Sequence, residues 1–198
     1  MIKKLILLLG IIGLVYSQPF EYVGWKKCGM CHKKDEQGAQ LGVWEGSQHS
    51  KAFETLKGEK AIAIAKEKGL TTSPWEAPEC VKCHTTGYGN GGFEIKDEAF
   101  WNPADDDRDG KKAAKLMEYL KGVGCEGCHG PGSEYKSKKT MKAIYAGEVD
   151  GATVGFHLPN EETCRSCHNE ESPTFTSFDF EEYFSKIAHK FPEGYSPK

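Results

Sequence analysis

The chain of 198 residues lacks a surplus of positive charge: 26 lysines and arginines stand against 29 aspartates and glutamates, a formal net charge of −3. Nucleic-acid binding, which leaves a basic footprint, gets no support from that balance. Also missing is an apolar run of the roughly 20 residues needed to cross a bilayer. The longest, Leu5 to Tyr16, follows Lys3 and Lys4 and leads into small residues at Val15 and Ser17. That is the plan of a secretory leader cleaved after Ser17 and of an exported, periplasmic chain. No cysteine follows the cut to accept a lipid. Polar–apolar alternation is nowhere long enough to predict a strand, and neither a catalytic triad nor a phosphate loop is present. Apolar side chains are scarce too: 38% hydrophobic residues and 23 glycines give a mean hydropathy of −0.58. So thin a core implies that something besides side chains fills the interior.

Nothing is lacking among the cysteines. All eight fall in one pattern: Cys28-Gly-Met-Cys31-His32, Cys80-Val-Lys-Cys83-His84, Cys125-Glu-Gly-Cys128-His129 and Cys164-Arg-Ser-Cys167-His168. Two cysteines three positions apart can form thioethers to the two vinyl groups on one edge of a porphyrin. The histidine that follows can then turn under the ring and ligate iron. A disulfide framework suits an exported chain with an even cysteine count, and zinc sites use Cys-x-x-Cys pairs. Neither explains a histidine after every second cysteine. The pattern predicts four covalent haems c, flat and largely apolar bodies that a glycine-rich chain can wrap.

Four of the seven histidines then serve as proximal ligands, leaving His49, His157 and His189 for four irons. In SQHSKAFETL, His49, Ala52, Phe53 and Leu56 recur at i, i+3, i+4 and i+7 and so share a helix face. Alone, that pattern describes a core histidine. Beside four haems it describes a distal ligand, with Phe53 and Leu56 packing on the porphyrin. His189 ends the helical segment FDFEEYFSKIAHKFP, which Pro192 stops; its angle lies slightly off the apolar stripe of Phe180, Phe184, Ile187 and Ala188. His157, in VGFHLPNEE, reads equally as a loop histidine in solvent or as a ligand. Met117 and Met141 are thioether candidates, although Met117 suits packing inside its own helix. Met30 lies within a binding motif on the proximal side. At least one iron is left without a distal histidine.

Periodicity predicts helices over 44–57, 59–68, 111–121 and 178–190, punctuated by turns such as Gly87–Gly92 and Gly130-Pro131-Gly132. The expected fold is mostly α with long loops: a leader at 1–17, then a single domain at 18–198 whose core is its haems. Asp105, Asp107, Asp109 and Gly110 match positions 1, 3, 5 and 6 of a calcium loop, but Leu116 stands where a bidentate Glu belongs. A solvated acidic turn explains that segment better than calcium does.

With these motifs placed, the chain resembles the tetrahaem cytochrome c-554 family of electron carriers linked to hydroxylamine oxidation. The matching pieces are FEYVGWKKCGMCH, WEGSQHSKA around His49, CVKCHTTGYGNGGF, GVGCEGCHGPG and FHLPNEETCRSCH, so the likeness runs from about residue 20 to 190. The resemblance implies a five-coordinate haem on His84 and bis-histidine irons elsewhere, with His49 on the iron of His129 and His189 on that of His168. Family members commonly carry a histidine shortly after CHGPG as the distal ligand of the first haem, where this chain reads GPGSEYKSKKT with Tyr135. His157 is the candidate substitute on the iron of His32.

Bis-histidine irons have both axial positions filled, which favours electron transfer between redox proteins over catalysis. Peripheral contact with membrane redox proteins fits the same role. The alternative is an enzyme that turns over nitric oxide or hydroxylamine at the open haem.

Overall fold

Helix starts in this chain follow local chemistry. The side chains of Asp97, Asp107, Ser137 and Asp179 each accept a hydrogen bond from a backbone N–H three residues on, satisfying donors that a helix leaves open at its first turn. Asn160 and Thr163 form a reciprocal capping box, and Pro78 opens its helix at the position where a missing N–H costs nothing. The computed structural model describes residues 20–191; the expected leader lies outside the described residues.

The α-helices so formed are α1 (Trp25–Gly29), α2 (Gln40–Gly46), α3 (Ala52–Thr55), α4 (Glu59–Glu67), α5 (Pro78–His84), α6 (Glu98–Trp101), α7 (Arg108–Tyr119), α8 (Cys125–His129), α9 (Lys138–Tyr145), α10 (Glu161–Arg165) and α11 (Phe180–Ile187). None exceeds 12 residues, and none among the described residues is long and apolar enough to cross a membrane. No strand forms among them; an isolated bridge joins Thr85 to Lys121. The mostly α fold with long connections is therefore as expected.

The helix expected over 44–57 is broken. After Gly46, Ser47 turns extended, a 3-10 turn spans His49–Lys51, and α3 resumes at Ala52. The hydroxyls of Ser47 and Ser50 donate to the carbonyls of Trp44 and Ser47 at 2.7 and 2.9 Å, the local competition that makes serine a poor interior helix residue. His49 thus sits on a turn and not mid-helix.

Phe53, Leu56, Val81, Phe93 and Leu120 form a buried cluster, with Tyr22, Trp75, Leu116 and Met117 packed against it. Phe53 and Leu56 belong to this side-chain core, between α3, α5 and the end of α7. Met117 packs as expected.

The acidic segment has its own employment. Asp107 caps α7, accepting from Gly110 N–H at 2.8 Å, while Asp105 and Asp109 pair with Lys111 and Lys112.

Candidate functional site

Each Cys-x-x-Cys-His motif is one turn of helix. In α5 and α8 the whole motif is helical. In the other two the histidine N–H closes the turn onto the first cysteine's carbonyl, His32 to Cys28 at 3.1 Å and His168 to Cys164 at 2.9 Å. Positions i, i+3 and i+4 share a helix face, so both thiols and the imidazole of a motif address the same side.

Three of these imidazoles are oriented through Nδ1. That of His32 meets Gln40 Oε1 at 3.2 Å, that of His84 meets the Ala52 carbonyl at 2.6 Å, and that of His129 meets the His157 carbonyl at 3.0 Å. A partner on Nδ1 leaves Nε2 to bind a metal, the arrangement by which protein ligands are oriented. His168 is held differently, by stacking on Phe178 with ring centres 4.7 Å apart.

Two spare histidines face two of the motif histidines. His49 stands opposite His168 with ring centres 5.9 Å apart, and His189 opposite His129 at 5.8 Å. Two imidazoles on opposite sides of one metal, each bonded at about 2 Å, place their ring centres about 6 Å apart, so both pairs fit a shared iron. Burial is the chief cause holding all four imidazoles below their ordinary range, His129 at about 4. They are therefore neutral near pH 7, the state that offers a lone pair to a metal.

These ring pairs differ from those the resemblance implied, which were His49 with His129 and His189 with His168. The reason lies in the backbone. Val123 N–H donates to the His49 carbonyl at 3.0 Å and Trp44 Nε1 to the Val123 carbonyl at 2.8 Å. His49 is thereby fastened to the approach to the third motif while its ring is presented to the fourth. Lys190, next to His189, is held through its carbonyl by Gln40 at 3.2 Å, the same residue that orients His32.

His157 has an exposed side chain lying against Gly130, and it serves the third motif through its carbonyl. Gly130 has φ +81°, and a Cβ there would lie 2.2 Å from the Gly155 carbonyl, so only glycine allows this approach. Among the ring contacts of the described residues, no imidazole faces His32 or His84.

The motifs touch one another. Cys28 lies beside Cys125 and Cys83 beside Cys167, while Cys128 is near Cys164 and Cys167. First, third, fourth and second motifs thus form one contiguous file. A disulfide framework built on the two thiol contacts would leave Cys31, Cys80, Cys128 and Cys164 unused.

A family model described as "Cytochrome c554 and c-prime" matches residues 27–130. The chain belongs to the cytochrome c554 family. Cytochrome c-554 of Nitrosomonas europaea is 34% identical over an alignment of 165 positions that covers 78% of this chain and 60% of that protein; the chain spans about three fifths of that relative's length. The solved structure of reduced cytochrome c554 from the same organism superposes with a TM-score of 0.58 at 27% identity, covering 86% of each chain. Membership of the cytochrome c554 family brings covalently bound haem c, and the motif geometry fits that group.

Several residues that hold this cytochrome c554 site together escaped the sequence reading. Glu126, inside the third motif and 2% exposed, accepts the backbone N–H groups of Val23, Gly24 and Gly132 at 2.9, 2.7 and 2.7 Å. Gly24 is the N-cap of α1, so one carboxylate docks the first motif onto the third. Burial raises its carboxyl above the ordinary range, against the pull of those three donors. Thr86, just past the second motif, donates to the Gly122 carbonyl at 2.9 Å and accepts from Gly124 N–H at 2.8 Å. The available signal was a charged residue wedged between two cysteines among glycines, which solvent exposure explains equally well in a linear sequence.

Proposed function

We propose that the protein is an exported, periplasmic tetrahaem cytochrome that carries electrons between redox proteins. What supports this reading above all is the pairing of His49 with His168 and of His189 with His129 at the spacing of a shared iron. When bound, haem c supplies a one-electron ferric/ferrous couple. The chain does the rest. Cys28 and Cys31, Cys80 and Cys83, Cys125 and Cys128, Cys164 and Cys167 would anchor four such groups, and His32, His84, His129 and His168 would ligate them. His49 and His189 would each supply a second imidazole to one of these groups, which would exclude substrate there. The contiguous file of motifs keeps neighbouring groups at close range, as a carrier requires.

His157 is the remaining imidazole for the iron on His32. A second reading, turnover of nitric oxide or hydroxylamine, is favoured by one observation: His84 is anchored through Nδ1 and has no imidazole opposite it among the ring contacts of the described residues. The protein denatured in acid should retain four haems by mass, because thioethers survive where axial bonds do not; zinc or disulfides in their place would end the reading. The reduced protein should bind one equivalent of carbon monoxide if His157 completes the first iron and two if it does not. Turnover of either nitrogen compound at roughly 1 to 1,000 per second, abolished by blocking the iron on His84, would replace the carrier reading with the enzymatic one.

A further inference from the structure

The first motif ends the file, and it is the end that meets solvent. Cys31 is the one exposed cysteine of the eight, and Met30 beside it is 61% exposed, more than any other large hydrophobic side chain among the described residues. On either side lie Lys26, Lys27, Lys33 and Lys34, all exposed. None of the four forms an ion pair among the described residues, whereas Lys57, Lys112 and Lys121 each pair with a carboxylate three positions away. Lys26 rests over the ring of Trp25 at 5.5 Å. The carboxylates beside them in sequence are Asp35 and Glu36, exposed on the 3-10 turn that follows. At the other end of the file the surface is neutralised, because Lys82 of the second motif is paired with Glu171.

A chain of net negative charge thus collects four lysines, none of them in an ion pair, around one exposed apolar side chain at one motif. Such a patch attracts an oppositely charged surface, orients the encounter and raises the association rate, while the apolar centre supplies the short-range contact. We infer that this face is the docking surface through which the protein exchanges electrons with the acidic face of another redox protein, at the haem attached to Cys28 and Cys31. The inference rests on the electron-carrier reading. An anionic lipid surface would also attract lysines, but it has no use for a haem-attachment cysteine at the surface and would gain little from a single apolar side chain.

The test uses the haem-loaded protein and a reduced flavodoxin, an acidic one-electron donor, as the probe. Each productive encounter oxidises the flavin hydroquinone by one electron and reduces one ferric iron. The second-order rate should fall steeply with ionic strength. The combined variant K26E/K27E/K33E/K34E, with unchanged haem content and absorption spectrum, should react at least about tenfold more slowly at low salt and lose the salt dependence. A control variant, K60E/K66E/K138E/K139E, carries the same change of net charge on α4 and α9 and should retain most of the rate. Equal loss in both variants would overturn the proposal by making net charge the cause, and so would no loss in either. Sedimentation with phosphatidylglycerol vesicles that the first variant abolishes, with an unchanged flavodoxin rate, would overturn it in favour of lipid binding. Titration with dithionite separates the two levels: fewer than four electrons per chain defeats the four-haem carrier reading itself, while four electrons with indifferent lysines defeats only the docking surface.

Discussion

Replacing Glu126 tests the carboxylate that joins the first motif to the third. Its Oε1 accepts from Val23 and Gly132, and its Oε2 from Gly24. A hydrogen bond to a charged group contributes about 1.5–3 kcal/mol, and a buried donor left unsatisfied costs about 1–3 kcal/mol. Glu126→Ala strands all three donors, two of them in buried bonds. Water entering the vacated space offsets part of the loss, so the expected cost is about 3–4 kcal/mol. Glu126→Gln should be milder, because its amide oxygen can still accept from Val23 and Gly132 while its NH2 meets Gly24 N–H donor to donor. One bond is lost and one buried donor is stranded, a cost of about 1–3 kcal/mol. Guanidinium unfolding of the haem-loaded protein, followed by far-ultraviolet circular dichroism, gives both numbers. Glutamine costing as much as alanine, or both variants lying within about 0.5 kcal/mol of the parent, would refute the role of the three bonds.

The same residue carries a pH signature. Its carboxyl is raised by burial above the ordinary 4.5, so the folded state binds that proton more tightly than the unfolded state does. Stability from this group is greatest in acid and falls as pH rises from about 4.5 through the raised value; the Gln variant should lack that part of the profile in pH-dependent unfolding. His49→Ala should convert one low-spin haem to high-spin by electron paramagnetic resonance at unchanged haem content, and His189→Ala another; an unchanged low-spin count would return either residue to a packing role. Micromolar calcium should leave the melting temperature where it is, since Asp107 is occupied as a helix cap; stabilisation that disappears in Asp107→Ala would show a calcium site after all.

Much of the site was legible because its chemistry is local. A Cys-x-x-Cys-His turn needs only five adjacent residues, and one helical turn suffices to place both thiols and the imidazole together. The same holds for the mostly helical fold, whose caps at Asp97, Asp179 and Asn160 are short-range devices. Pairing across the chain is another matter. His49 and His168 are far apart in sequence, and the contacts that bring them face to face run through Trp44 and Val123, neither of which carries a ligating side chain. The break in the helix around His49 was hidden as well, because the apolar spacing of Phe53 and Leu56 continues across it and the serine hydroxyls act only on the backbone. Glu126 was illegible for a third reason: its partners are backbone N–H groups, which every sequence supplies and none advertises.

The buried side chains lie on one side of this molecule's history. Phe53, Leu56, Val81, Phe93, Leu120 and Tyr135 all precede residue 136, and among the described residues beyond it none is fully buried. The amino-terminal two thirds can begin to collapse around its own apolar groups, while the stretch bearing Cys164, Cys167 and His168 has no fully buried apolar side chain of its own among the described residues. On the four-haem reading, its order would come from the haem held by Cys164, Cys167 and His168. In the haem-free chain a protease should cut first in this carboxy-terminal third, a vulnerability that the finished cytochrome closes by covalent chemistry.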